Sequence, residues 1–394
     1  MAAVVFWISS GLIVYAYIGY PLLLYFFSKF RPVPAWRTSQ LPSVTLVIAA
    51  FNEEQAIAKK LDNSLKLDYP KDRLQILVAV DGGEDQTLEI VKQYVKKGIE
   101  YDFSPGRNGK MAAINRVMPK TTGEIILFSD ANNLFSSHAI KELVKPFIDS
   151  SVGAVTGSKN IIKGDGALGE SEGLYWRYES FIKEMETRLG CCTAVAGEIL
   201  AVRKSLFQAP PDQTINDDFY IAADLIKRGF QVVYEPKAKS FERVSATAAD
   251  EVKRRARIIA GRYQALANSH RLIPFKRPTI AWQLVSHKFL RPLVPFAMIL
   301  ALLTNIYTVL ISPLVLNASW FNMGYPYNWI LLILQIFFYM AAWMGNRREQ
   351  QSRMGKLLYL ATFLVNSNWA ALVGLRRYLS GKQTSLWERV QRSQ

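Results

Sequence analysis

Two hydrophobic patterns divide this chain: long unbroken apolar runs near its ends, and short apolar runs separated by amphipathic stretches in its middle. Residues 4–27, VVFWISSGLIVYAYIGYPLLLYFF, carry no charge and are long enough for a helix to cross a bilayer. They lack the basic lead, short apolar core and small-residue exit of a cleaved signal peptide. An uncleaved spanning helix over residues 1–28 is therefore expected. Near the other end, Phe289–Ile311 and Trp329–Gly345 are further span candidates. Leu357–Leu375 is one more, softened by Asn366, Ser367 and Asn368.

In the middle, SVTLVIAAF, LQILVAVD, EIILFSD and VGAVTG are short apolar runs rich in β-branched residues, and they read as buried strands. Helix-like EEQAIAKKLDNSL, QTLEIVKQYVKKG and KMAAINRVM lie between them. This alternation predicts an α/β fold with a mainly parallel sheet covered on both faces. Ligands of such sheets bind at the carboxyl ends of the strands. Polar residues stand there: Asn52 and Glu53, Asp81, and Asp130. The stretch from Glu172 to Leu189 mixes aromatic and charged residues at helical spacing, and residues 250–266 form a strongly basic helix. Each suits either the membrane surface or packing beneath the crevice. The chain thus divides into a spanning helix (1–28), the linker RPVPAWRTSQLP, an α/β domain (43–245), basic interfacial helices (246–288), spanning segments (289–375) and a basic tail (376–394).

Charge sharpens the membrane reading. The 394 residues carry 48 Lys and Arg against 32 Asp and Glu, a net charge of +16. The excess flanks the apolar runs: Lys29, Arg31 and Arg37; Arg254, Arg255, Arg257 and Arg262; Arg347 and Arg348; Arg376 and Arg377. That placement fits a cytoplasmic membrane face rather than nucleic acid. The loop SPLVLNASWFNMGYPYN has no basic residue and is expected outside. The last apolar run presents a conflict. Arg347, Arg348 and Lys356 before it, and Arg376, Arg377, Lys382, Arg389 and Arg392 after it, all call for the cytoplasm. One full crossing cannot satisfy both flanks: either the segment is re-entrant or the positive-inside rule fails there. The two cysteines, Cys191 and Cys192, are adjacent and build neither a disulfide framework nor a spaced metal site. The histidines His138, His270 and His287 are scattered.

Five places carry candidate chemistry, and each has a plainer structural reading. Asp81-Gly82-Gly83, with Asp85 and Thr87 after it, is either a ligand-facing strand end or a turn. Asp130, followed by Asn132 and Asn133, is a metal holder or a helix cap. Gly109-Lys110 opens a helix, where an anion fits; a surface lysine is the alternative. Asn216-Asp217-Asp218 begins an amphipathic helix, as capping residues or as the seat of a general base. Lys253, Arg254, Arg255, Arg257 and Arg262 are a lipid-facing helix surface or a diphosphate clamp.

Taken in order, these segments resemble the membrane-bound family 2 glycosyltransferases, the group of cellulose, hyaluronan and poly-N-acetylglucosamine synthases and chitooligosaccharide synthases. The resemblance covers roughly residues 4–394. VTLVIAAFNEE looks like the first strand and its Asn-Glu-Glu turn. VDGGEDQT is similar to the Asp-Asp-Gly-Ser region, with Val80 in place of the first acid. GRNGKMAAIN looks like the Gly-Lys segment, and FSDANNLF like the Asp-x-Asp strand end with Asn132 for the second Asp. NDDFYIAADLIKRGFQVVYEP is similar to the Thr-Glu-Asp segment, with Asp217 for Glu and Asp218 at the general-base position. RRARI lies where the family has Gln-x-x-Arg-Trp; Arg257 is retained, while Arg254 and Ile258 replace Gln and Trp.

The resemblance implies a glycosyltransferase A-type (nucleotide-diphospho-sugar transferase) domain with flanking transmembrane helices. It implies inverting transfer from a nucleotide sugar, UDP-sugar favoured, with catalytic Asp218 and Arg257. Glu53, Asp81, Lys110 and Asp130 would bind the donor. Asp217 and Arg254 would lie on the acceptor or diphosphate side, and Asp130 and Asn132 would hold Mg²⁺ or Mn²⁺. The implied setting is a multi-pass protein of the inner membrane with a cytoplasmic catalytic domain. The acceptor would be a saccharide in polysaccharide synthesis or, alternatively, a lipid receiving one or a few sugars. A transporter or scaffold whose α/β domain merely binds nucleotide is a reading of another class, but the spans hold few of the ionisable residues that transport uses.

Overall fold

A computed structural model describes residues 1–36, 40–162, 166–243, 248–311, 318–347, 353–381 and 383. Arg37, Arg348, Lys382, Arg389 and Arg392, the side chain of Lys356, most of the basic tail and residues 312–317 of the loop expected outside lie beyond what is described.

Among the described residues, β1 (Val44–Ala50), β2 (Leu74–Asp81), β3 (Glu100–Ser104), β4 (Ile125–Asp130), β5 (Leu134–Phe135), β6 (Val152–Ile161), β7 (Leu200–Arg203) and β8 (Gln231–Glu242) form one sheet. Its order is β3-β2-β1-β4-β7-β6-β8-β5. β1 pairs parallel with β2 and β4, β2 with β3, and β6 with β8. β7 runs antiparallel between β4 and β6, and β5 antiparallel along β8. The sheet is therefore mixed.

Every residue of β1 is buried, because both of its faces are covered. Val44, Leu46 and Ile48 pack with Ile57, Leu61 and Leu143 on one side. Val47 belongs to the opposite layer with Ile114, Ile221 and Leu225. This two-residue period is what the apolar run encodes. The register sets Asp130 beside Ala49 and Val80 beside Ala50, so the acids ending β2 and β4 emerge at one edge of the sheet.

Three described helices are long and apolar enough to cross a membrane: Ala2–Ser28, Pro278–Ile311 and Tyr327–Asn346. The second begins earlier than its apolar run implies, continuing from the basic region through a π-helical turn at Val285–Phe289. The helix Arg353–Leu379 is not among these three. Its Thr362 hydroxyl reaches the Ala342 carbonyl at 3.5 Å, and Asn366 bonds Asn346 at 2.8 Å. It then runs along the basic helix Ala248–Ala267, where Gly374 seats against Ile259 and Arg255 donates to Ser367 at 3.4 Å. A helix that crosses the end of one span and then lies on a cationic helix need not place its flanks on opposite sides.

The aromatic and charged helix, Gly166–Arg188, packs between the Tyr20–Ser28 segment and strands β6 and β8. Tyr175, Trp176 and Glu179 of this helix line the crevice described below.

Candidate active site

The helix Lys110–Val117 starts at Gly109, whose φ of +93° suits glycine and few other residues. The Gly109 amide donates to Asp81 Oδ2 at 2.6 Å, and the Asn108 amide to Asp81 Oδ1 at 3.1 Å. Asp81 thus anchors the loop that presents Lys110. Lys110 Nζ donates to Asp130 Oδ1 at 2.6 Å across the ends of adjacent elements. Burial opposes the lysine's charge, but Asp130, Asp217 and Asp218 outweigh it and hold the ammonium above the ordinary lysine range.

Asp217 and Asp218 occupy the first turn of the helix Asp217–Lys227. The Asp218 carboxylate accepts from the Phe219 amide at 2.7 Å and from the Gly197 amide at 3.1 Å. Gly197 is needed at this contact, because a Cβ there would lie 3.0 Å from the Asp218 Cβ. Burial, with Asp217 beside it, pushes the Asp218 carboxyl above the usual range. The basic helix is tied to the same segment. Asn216 donates to the Ile258 carbonyl at 2.8 Å, and the Ile215 amide donates to Gln264 Oε1 at 3.0 Å.

These elements enclose a cavity of about 660 Å³. Glu53, Lys110, Asp130, Asn132, Asp217, Asp218, Arg254 and Arg257 all line it. Asp81 lines an adjoining recess that shares Phe51, Gly109 and Lys110 with this cavity. It is 4% exposed, with its oxygens on the Asn108 and Gly109 amides. Arg107 lies 4.3 Å over the Phe51 ring there. Thr87, at the start of the next helix, has its amide capped by Asp85 at 3.0 Å.

The oxygen chemistry at the β4 end fits a hard divalent cation. Asn132 Oδ1 is buried without a hydrogen-bond partner, two residues from the Asp130 carboxylate. No group of three or more His, Cys, Asp or Glu side chains poised for metal occurs among the described residues. Asp130 and Asn132 would therefore need further oxygens, from ligand or water, to complete a coordination sphere.

The cavity also collects Lys159, Trp176, Glu198 and Glu242, none of which stood out in the sequence. Residues of the apolar helices reach it as well, among them Tyr17, Phe289 and Phe363.

Residues 42–261 match the family model described as glycosyltransferase like family 2. The chain belongs to glycosyltransferase family 2. The enzyme is 26% identical over 377 residues to the probable glycosyltransferase YdaM of Bacillus subtilis (strain 168), covering 87% of this chain and 84% of that protein. It is also 26% identical over 240 residues to the poly-beta-1,6-N-acetyl-D-glucosamine synthase of Staphylococcus aureus (strain COL), covering 59% of this chain and 58% of that one. The chain thus spans little more than half the length of the latter relative. Its fold is similar to that of the mannosyltransferase PcManGT from Pyrobaculum calidifontis, solved with GDP-Man and Mn²⁺. That match has a TM-score of 0.71 and 20% identity, over 97% of this chain and 100% of the other. The glycosyltransferase A-type fold and the enzyme class follow from these likenesses together.

Proposed function

We propose that this glycosyltransferase moves a sugar, with inversion, from a nucleotide diphosphate to a saccharide acceptor at the membrane, in polysaccharide synthesis. The observation that carries the reading is one cavity gathering a basic carboxylate, Asp218, with the Lys110–Asp130 pair and the arginines of the basic helix. The acceptor hydroxyl gives its proton to Asp218 as its oxygen bonds to the anomeric carbon, opposite the diphosphate. The bond from that carbon to the diphosphate oxygen breaks, and its electron pair leaves with the diphosphate. An α-linked donor so gives a β-linked product. Lys110, Arg254 and Arg257 meet the charge that grows on the leaving group. Asp81 acts through the loop it anchors, and Glu53 lies on the donor side. Asp217 keeps the Asp218 carboxyl basic. Asp130 and Asn132 are the residues that would hold Mg²⁺ or Mn²⁺, which when bound stabilises the departing diphosphate as a Lewis acid.

The poly-N-acetylglucosamine synthase relatives support a saccharide acceptor. A second reading, transfer of one or a few sugars to a lipid, is favoured by Tyr17, Phe289 and Phe363, which bring apolar helices to the cavity wall. The basic flanks of the spans support a multi-pass protein of the inner membrane with its catalytic domain on the cytoplasmic face.

The test is a screen of UDP- and GDP-sugars with the full chain in detergent, with and without chelator, reading nucleoside diphosphate release and product mass. A ladder of long products supports polymer synthesis, and a single lipid-linked species supports the second reading. Release from no donor beyond the rate of Asp218→Asn refutes both.

A further inference from the structure

We propose that Glu198 and Trp176 form the subsite that grips the acceptor sugar, an inference that rests on the glycosyltransferase reading above. Lys159, on β6, ion-pairs with Glu242 at the end of β8, and its Nζ donates to Glu198 Oε2 at 3.0 Å. The other oxygen, Glu198 Oε1, is buried with no hydrogen-bond partner. Trp176, on the helix Gly166–Arg188, has a buried indole Nε1 that is likewise unpartnered. The Lys159 ammonium lies 5.2 Å from the Trp176 ring centre, so one lysine joins the two residues. All of these side chains line the cavity that holds Asp218.

A buried polar atom left without a partner is costly and uncommon. Two of them on one cavity wall mark a place that a ligand completes. One is an acceptor and the other a donor. A metal ion would satisfy the oxygen alone, and a phosphate the N–H alone. A hydroxyl answers both needs, donating to Oε1 and accepting from Nε1–H. A sugar ring supplies several hydroxyls on a rigid frame, and Tyr175, with Phe363 5.7 Å away, adds apolar wall beside them.

The position of this wall ties it to the acceptor. Glu198 directly follows Gly197, whose amide holds the Asp218 carboxylate. Its own carbonyl accepts from Asn133 Nδ2 at 3.1 Å, in the turn that follows Asp130. Glu198 is therefore fixed between the proton acceptor and the diphosphate side. A sugar held there brings its hydroxyl to Asp218 rather than to the recess beside Asp81. Burial also pushes the Glu198 carboxyl above its ordinary range, against the pull of Lys159.

The decisive experiment compares wild type, Trp176→Phe and Glu198→Gln in a detergent without a sugar headgroup. Trp176→Phe removes the N–H and keeps the ring. Glu198→Gln keeps the shape and leaves the Lys159–Glu242 pair. The probes are β-linked disaccharides of glucose, mannose and N-acetylglucosamine, used in calorimetry with nucleoside diphosphate present and as acceptors in transfer. One of them should bind wild type and bind each variant about tenfold more weakly, with acceptor KM rising alike and donor KM unmoved. Equal disaccharide affinity in all three proteins overturns the subsite. So does a shift confined to donor KM, which would assign Glu198 to the diphosphate. So does wild type that transfers sugar yet binds none of the three. If no donor is turned over but the variants still weaken disaccharide binding, the transferase reading fails and the saccharide site stands.

Discussion

In the proposed role Asp218 must be an anion to accept a proton, yet it sits where burial and a neighbouring carboxylate disfavour the anion. That conflict makes it a stronger base than an exposed aspartate. The sign follows directly. A carboxyl raised above the ordinary value of about 3.9 loses its base form sooner as pH falls, so kcat/KM should drop on an acid limb displaced upward. Asp218→Asn should abolish that limb and lower kcat by about a thousandfold, with donor affinity measured by calorimetry nearly unchanged. Turnover close to wild type would remove Asp218 from the base role. Arg257 lines the same cavity, half-buried, and makes no hydrogen bond or ion pair to other described residues. Its charge answers best to a partner whose negative charge grows during the reaction. Arg257→Ala should lower kcat by about a hundredfold and change donor binding much less. A loss confined to KM, in steady-state assays over donor concentration, would contradict that. Asp130, Asp218, Lys110 and Arg257 were legible because each stands at a strand end or on a helix start or face that the hydrophobic period marks. Glu198 and Trp176 were not. They meet Lys159 and Glu242 across distant segments, and AVAGEIL reads locally as a plain apolar stretch.

Asp218 and the arginines belong to different helices, so the proposed catalysis depends on how those helices meet. Asn216 immediately precedes one and its side chain bonds the Ile258 carbonyl of the other, and Gly261 faces it so closely that a Cβ would lie 2.4 Å from the Asn216 Cγ. Gly261→Ala should therefore cost about 1–3 kcal/mol of stability and lower kcat as the arginines shift from Asp218. Asn216→Ala removes the clashing group as well as the bond. The double variant should thus be less impaired than the two single losses added together, measured by thermal unfolding in detergent and by kcat. Strict additivity would show that the two helices are not coupled at this contact. At this scale β1, β2, β4 and β6 were readable, since each is a β-branched run buried on both faces. The short β5 and β7 carry too few residues for a period, and β3, at the sheet edge, has no buried residue to mark one. β7 takes its antiparallel place between β4 and β6 from pairing alone, which no local pattern encodes.

A buried polar junction joins the apolar helices Ala2–Ser28 and Pro278–Ile311 to the sheet domain. His287 lies between Glu186 at 2.8 Å and Glu179 at 3.1 Å, Arg291 pairs with Glu179, and Tyr20 of the first span donates to Glu186 at 2.5 Å. With the spans fixed on the domain in this way, the course of Arg353–Leu379 decides the topology. A full crossing would carry Arg376 and Arg377 to the side away from Arg347, against the positive-inside bias. A helix lying along Ala248–Ala267 keeps both flanks with the catalytic domain. Single cysteines separate the two courses. Cys191 and Cys192 are fully buried, and burial pushes the Cys191 thiol up to about 12 and the Cys192 thiol higher, so the native pair should stay silent to maleimide. Arg347→Cys and Ser380→Cys should react with an impermeant maleimide in inverted vesicles and stay unreactive in intact cells. Phe321→Cys, exposed in the loop between the second and third spans, should do the reverse. If Ser380→Cys labels together with Phe321→Cys, the last helix crosses the bilayer, and the cavity wall supplied by Phe363 would lie within the membrane rather than at its surface.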